Sequence, residues 1–274
     1  MSDRVRVTLD GGVADVRLAR PDKINALDGD MFQALRETGR QLAQEPGLRA
    51  VVLSGEGRGF CAGLDFSSFA AMGSGGGGKS SAGNSGAGSL LDALPDSPAN
   101  NAQSPAWVWQ ELPVPVIAAV HGVAYGGGLQ IALGADIRIV APDARLSVME
   151  IKWGLIPDMS ATQTLRHLVR LDVAKDLTFT GRIVEGTEAV AIGLATRVSE
   201  RPYDDAMELA RTIASKSPDA IRAGKRLLNQ TTRDLGVAEG LGLEAELQKG
   251  LLGKPNQIES VKANLEKRPP RYED

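Results

Sequence analysis

Three observations predict an α/β fold that ends in an all-helical region. Two apolar stretches of strand length, 49–54 and 114–120, each run into a glycine-rich turn, at 55–63 and at 126–128. Before residue 198 apolar residues recur at both strand and helix spacing, whereas beyond 202 only helix spacing remains. The expected division is a core at 1–198 and a helical region at 199–274.

In chain order, Val5, Val7 and Leu9 alternate with polar residues, as do Ala14, Val16 and Leu18. With Asp10-Gly11-Gly12 between them, these runs predict a β-hairpin. Phe32, Leu35 and Leu42 share one face of a helix ending near Pro46, and 49–54 reads as a buried strand. From 72 to 105 the composition collapses into Gly, Ser, Ala and Asn, predicting a flexible loop. Trp107 and Trp109, read as core or interface aromatics, restart the ordered chain. A helix start at 129–133, a strand at 137–140, a helix at 160–170 and a short helix led by Thr187 follow. Helices are then predicted at 203–216, 218–230 and 237–252 and from Asn256, with Ser217-Pro218 as a cap and first-turn proline.

With 274 residues and 42% hydrophobic content, the chain is long enough to bury a substantial core. Lys and Arg number 31 against 34 Asp and Glu, and a formal charge of −3 gives no reason to expect nucleic acid or a membrane as partner. The expected ligand is a small molecule. The one cysteine, Cys61, excludes an intrachain disulfide framework, and no Cys/His cluster has metal-ligand spacing, so no metal is expected. The apolar runs fall short of the ~20 residues that cross a bilayer. The opening MSDRVRVTLD lacks the character of a signal or transit peptide, and a cytoplasmic protein is expected.

Two motif matches carry little. Gly73-Ser74-Gly75-Gly76-Gly77-Gly78-Lys79-Ser80 fits the phosphate-binding loop pattern but lacks a buried strand before it and a helix after it. Gly57-Arg58-Gly59-Phe60-Cys61-Ala62 fits a loose dinucleotide fingerprint, yet no acid follows at the required spacing. The turn at 126–128 is different. A glycine turn that opens a helix leaves backbone N–H groups without intrahelical partners, a geometry suited to an oxygen gaining negative charge. Two carboxylates follow it, Glu150 and Asp158. Taken alone, Asp158 also reads as a helix cap and Glu150 as a surface residue. His121 reads as a structural residue at a strand end, His167 as a helix position far from the turn, and Cys61 as packing.

The segments Arg20-Pro21-Asp22-Lys23-Ile24-Asn25-Ala26-Leu27, Gly59-Phe60-Cys61-Ala62-Gly63-Leu64-Asp65, Pro115-Val116-Ile117-Ala118-Ala119-Val120-His121-Gly122 and Gly126-Gly127-Gly128-Leu129-Gln130 stand in this order. Gly154-Leu155-Ile156-Pro157 and Thr180-Gly181-Arg182 complete the set. From about Arg4 to Pro270, apart from the Gly/Ser tract, the chain resembles the crotonase superfamily, the enoyl-CoA hydratases and isomerases. The resemblance implies the crotonase (ClpP-like) fold, a repeated ββα spiral followed by a helical trimerisation region, and hence a homotrimer or dimer of trimers. It implies acyl-CoA thioester substrates and no tightly bound cofactor, coenzyme A entering as part of the substrate. It also implies an oxyanion hole from the backbone N–H groups of Leu64 and Gly127, with CoA contacts from Lys23, Ile24, Ala26, Ala62 and Gly63. Each such donor, fixed in a dry site, is worth ~3 kcal/mol of barrier.

Hydratases of the family use two glutamates. Here the later one is Glu150 and the earlier one is Gln130, an amide that can hold a water but cannot take its proton. Dienoyl-CoA isomerases place a carboxylate eight residues beyond the later glutamate, where this chain has Asp158. They usually also carry an acid where this chain has Gln130. The resemblance therefore favours an enoyl/dienoyl-CoA double-bond isomerase with Asp158 as base, Glu150 as acid and Gln130 as a third site residue. The alternatives are 2-enoyl-CoA hydration by Glu150 with a bound water, and a catalytically weakened acyl-CoA-binding homologue.

Overall fold

A computed structural model describes residues 3–65, 67, 91–233 and 235–274; the phosphate-loop-like run at 73–80 and the rest of 72–90 lie outside the described residues. The chain opens with the expected hairpin, β1 (Val5–Asp10) pairing antiparallel with β2 (Val13–Leu18). Gly11 and Gly12 have φ of 55° and 80°, the pair of positive values that a two-residue hairpin turn demands.

β3 (Ala50–Gly55) and β4 (Val116–Val120) add to this hairpin in parallel. β5 (Val123–Tyr125) leaves for a second sheet, and β6 (Ile137–Val140) returns to the first beside β4. β7 (Arg145–Ser147) and β8 (Val184–Glu185) join β5, while β9 (Arg197–Val198) closes the first sheet in the order β1-β2-β3-β4-β6-β9. Parallel neighbours need crossovers. These contain α1 (Gly29–Leu42), α2 (Ser104–Glu111) and α3 (Gly127–Gly134). Then come α4 (Ala161–Leu168), α5 (Leu171–Thr180) and α6 (Gly186–Ala191). The last third is α7 (Pro202–Ala214), α8 (Pro218–Thr231), α9 (Val237–Leu251) and α10 (Pro255–Glu266).

β4 is an unbroken apolar run because it is buried on both faces. Val116, Ala118 and Val120 join the main core with Leu35, Trp109 and Leu129. Ile117 and Ala119 join Val52, Ile139 and the α7 residues Ala206 and Ala210 in a second one. The buried Lys225 of α8 reaches back to the first region, donating to the carbonyls of Trp109 at 3.0 Å and Val114 at 2.9 Å and pairing with Asp136 at 2.8 Å.

Two local expectations are corrected. α2 starts at Ser104, inside the stretch read as a loop to 105. Asn100 and Gln103 exchange backbone-to-side-chain hydrogen bonds, both 2.9 Å, in the turn that leads into α2, a brace hidden by the low-complexity composition around it. Ser217 does stand at the N-cap of α8 with Pro218 behind it, but its side chain makes no capping bond. Trp109 is a core aromatic, its indole N–H on the Pro105 carbonyl at 2.8 Å, while Trp107 lies under the Arg233 guanidinium at 4.7 Å.

Where α3 enters the core, a Cβ on Gly128 would lie 2.5 Å from the Cys61 carbonyl oxygen. Gly128→Ala is expected to lower the unfolding free energy by about 3 kcal/mol, read by urea denaturation. An unchanged midpoint would mean that the Cys61 strand yields without cost.

Candidate active site

β5 and β7 run parallel and end side by side, the Gly126 N–H donating to the Ser147 carbonyl at 2.9 Å. Crevices at the carboxyl ends of parallel strands are where such folds hold ligands. A third segment completes the crevice. Cys61 pairs with β5 through bonds from its N–H to Val123 O and from the Tyr125 N–H to Cys61 O, both 3.0 Å. Leu64 then bridges to Leu27.

Two glycines permit this approach. Gly63 has φ of 85° and a Cβ there would lie 2.5 Å from the Tyr125 carbonyl oxygen, while Gly126 has φ of 52° at the turn itself. The 62–64 segment thus runs directly against the turn. Among the described residues neither the Leu64 nor the Gly127 backbone N–H donates a hydrogen bond, and both residues line one cavity of about 260 Å³. At Gly127 a Cβ would fall 2.7 Å from Met159 Sδ and 2.8 Å from Leu27 Cδ1, so a side chain there would displace these two flexible side chains.

Glu150 opens a short 3-10 helix, Glu150–Trp153, and lines the same cavity with Asp158. The surface reading of Glu150 does not hold, because the residue is 8% exposed. Its Oε1 accepts from Gln130 Nε2 at 2.5 Å, and its buried Oε2 has no partner among the described residues. Burial raises the Glu150 carboxyl above the usual glutamate range; hydrogen bonds from its own backbone and from Gln130 oppose the rise, and the Asp158 charge adds to it. Asp158 is more exposed, yet desolvation in the cavity wall raises its carboxyl too, against a hydrogen bond from its own backbone. Asp158 is not the cap of α4. Ser160 occupies that position, and the Ala161 N–H is met by Gln130 Oε1 at 3.2 Å. Gln130 itself is buried on α3 and is not among the cavity-lining residues.

The segment at 20–27 is fixed beside the Ala62-Gly63 wall. The Ala62 N–H donates to the Ile24 carbonyl at 2.9 Å. Ile24 and Asn25 both have left-handed backbones, with φ of 50° and 55°. The strained turn is held by Asn25, whose buried amide donates to the carbonyls of Glu56, Gly59 and Phe60 at 3.0, 3.0 and 3.1 Å. Arg20 pairs with Asp65 at 2.8 Å, and the Ser67 hydroxyl with this guanidinium holds the Asp65 carboxyl down at about 2. Lys23, Ile24 and Ala26 therefore lie next to the cavity wall without lining the cavity, whereas Ala62 and Gly63 line it.

Apolar lining residues such as Phe32, Tyr125, Met149, Trp153 and Met159 were not singled out in the sequence, since nothing in their type or spacing marks a cavity wall. Asn25 was read only as part of its segment. Cys61 is a packing residue as expected: it is fully buried, its thiol donates to the Asn25 carbonyl at 3.0 Å, and burial pushes it up to about 12. His121 is bonded to the Gly57 carbonyl at 2.9 Å, and His167 is exposed on α4.

The family model for enoyl-CoA hydratase/isomerase matches residues 8–274. The chain belongs to that family. The human mitochondrial methylglutaconyl-CoA hydratase is 32% identical over 268 residues, covering 95% of this chain and 74% of the relative. A peroxisomal Delta(3,5)-Delta(2,4)-dienoyl-CoA isomerase from Arabidopsis thaliana is 31% identical over 271 residues, covering 98% and 95%. Among solved structures, an enoyl-CoA hydratase from Bacillus anthracis superposes with a TM-score of 0.84 at 28% identity, covering 98% of both chains. This hydratase/isomerase family member thus has the expected crotonase fold and is an enzyme.

Because folding raises the Glu150 carboxyl, the folded enzyme holds a proton there that the unfolded chain has lost. Stability should fall as pH rises from the ordinary glutamate range through the raised one. Glu150→Gln is expected to flatten that part of the profile and to stabilise the enzyme at neutral pH, measured as urea midpoints across the pH range. Parallel profiles for the two proteins would refute this.

Proposed function

We propose that this enzyme is an enoyl/dienoyl-CoA double-bond isomerase. One observation carries the reading: two carboxylates, Glu150 and Asp158, line a cavity beside two unengaged backbone donors, while Gln130 stands where a further carboxylate would serve hydration. The thioester oxygen sits between the Leu64 and Gly127 N–H groups, which hold the charge that develops on it. Lys23, Ile24, Ala26, Ala62 and Gly63 seat the CoA portion. A proton leaves the carbon next to the thioester, the conjugated double bonds shift, and a proton returns at the far end of the diene, so the composition is unchanged. Nothing beyond the CoA of the substrate is needed as a cofactor.

The Glu150 carboxyl lies against Gly126, where a Cβ would be 3.3 Å from its Oε1. That places Glu150 beside the turn, and Asp158 lines the same cavity. In the direction that forms the 2,4-diene Asp158 is the base and Glu150 the acid, the allocation the resemblance implies. Both carboxyls are raised by burial, which brings them toward the range useful for proton transfer.

Hydration of a 2-enoyl-CoA by Glu150 with a bound water is the second reading, favoured by the 32% identity to a hydratase. Exposed apolar residues on the helical side, among them Phe179, Leu228, Val237 and Leu265, support assembly into a homotrimer or a dimer of trimers. Sedimentation should then give three or six copies, and a monomer at micromolar concentration would remove that part.

A paired assay on a 3,5-dienoyl-CoA and a 2-enoyl-CoA should give diene conjugation with weak hydration; efficient hydration without conjugation would overturn the reading. Glu150→Gln should lower turnover by about 10³-fold while CoA affinity stays near native. Asp158→Asn should abolish both conjugation and deuterium wash-in next to the thioester, and wash-in that persists would give the base role to Glu150.

A further inference from the structure

Gln130 is 1% exposed and uses both the nitrogen and the oxygen of its amide. Nε2 donates to Glu150 Oε1 at 2.5 Å, and Oε1 accepts from the backbone N–H groups of Met159 at 2.8 Å and Ala161 at 3.2 Å. The opposite amide orientation would face an oxygen to a carboxylate and an NH2 to two N–H groups, so the network fixes the assignment. One side chain therefore joins α3, the 3-10 helix that carries Glu150, the peptide that follows Asp158, and the start of α4.

The geometry points to Gln130 as the positioning residue that makes Glu150 a one-oxygen proton carrier and sets where Asp158 stands relative to it. This rests on the reading that Glu150 moves the proton. Oε1 of Glu150 is occupied by the amide, while Oε2 is buried, without a partner among the described residues, and part of a group lining the cavity. Anchoring the Met159 N–H fixes the peptide next to Asp158, so both carboxylates are located by the same amide. An ionised carboxylate at 130 could accept from Met159 and Ala161 but could not donate to Glu150. An amide does both without titrating. It also has no proton-accepting form, so position 130 supplies no base.

The test compares native enzyme with Gln130→Met, Gln130→Glu and Glu150→Gln, on whichever of the two thioesters the native enzyme turns over. The readouts are kcat and KM between about pH 5 and about pH 9. Among the described residues, the titratable groups that line the cavity with Glu150 are Asp158 and Tyr125. Gln130→Met should lose about 10²-fold in kcat with little change in KM, through misplacement. Its pH profile should move upward, because the hydrogen bond that favours ionised Glu150 is gone. Gln130→Glu keeps both backbone contacts and should approach native activity at acid pH, where its proton replaces the amide donor. At alkaline pH it should lose activity along a new limb as the two carboxylates repel.

A kcat within about twofold of native for Gln130→Met, or a uniform loss in both variants with unshifted profiles, assigns Gln130 to packing and overturns the inference. If Gln130→Met fails to fold, the profile of Gln130→Glu decides alone, superposition on the native curve being the negative result. Full turnover by Glu150→Gln would instead remove the underlying reading, which separates the two failures.

Discussion

Cys61 bonds to both Val123 and Tyr125, and this one-residue parallel pairing lays 62–64 against the turn at 125–127. Everything at the site depends on that approach. It works because Gly63 and Gly126 accept positive φ and because no side chain stands between Gly63 and the Tyr125 carbonyl. The backbone N–H groups of Leu64 and Gly127 are left side by side on a cavity wall without a partner among the described residues, so the donors come from the main chain. Donors of this kind do not reorganise when charge develops, which is the property an enolate site requires.

The carboxylates meet this frame from the end of β7. Their environment is mostly apolar, so ionisation is opposed by desolvation at Glu150 and Asp158 alike. Near the cavity two other groups meet the same desolvation and end in opposite states. Asp65, hydrogen-bonded to Ser67 and paired with Arg20, is held ionised, and Cys61, without a compensating charge, is held as a thiol. The distinction lies in the partners available to each group.

The loop at 20–27 shows how polar bonds maintain an unfavourable backbone. Two consecutive non-glycine residues in the left-handed region cost energy that the three carbonyl acceptors of Asn25 and the Arg20–Asp65 pair offset. Asn25 looks unexceptional as one residue of a segment. Its importance lies in contacts with residues more than thirty positions away.

Local pattern made much of this protein legible from its sequence. The hairpin with Gly11-Gly12, the apolar strands β3 and β4, the glycine turn into α3 and the helical last third are near-neighbour features, set by alternation, turn residues and helical spacing. The family followed from short motifs in order. What failed was also local: the turn leading into α2 was hidden in low-complexity sequence, and Asp158 resembled a helix cap that Gln130 supplies from another element. The tertiary structure alone decided which carboxylate oxygen is free, which side chains wall the cavity, and that Gln130 braces Glu150. A sequence records the amide at 130 and the carboxyl at 150, but whether they touch depends on how α3 packs against the turn after β7, since hydrogen bonds act over about 3 Å of space and carry no trace in chain spacing.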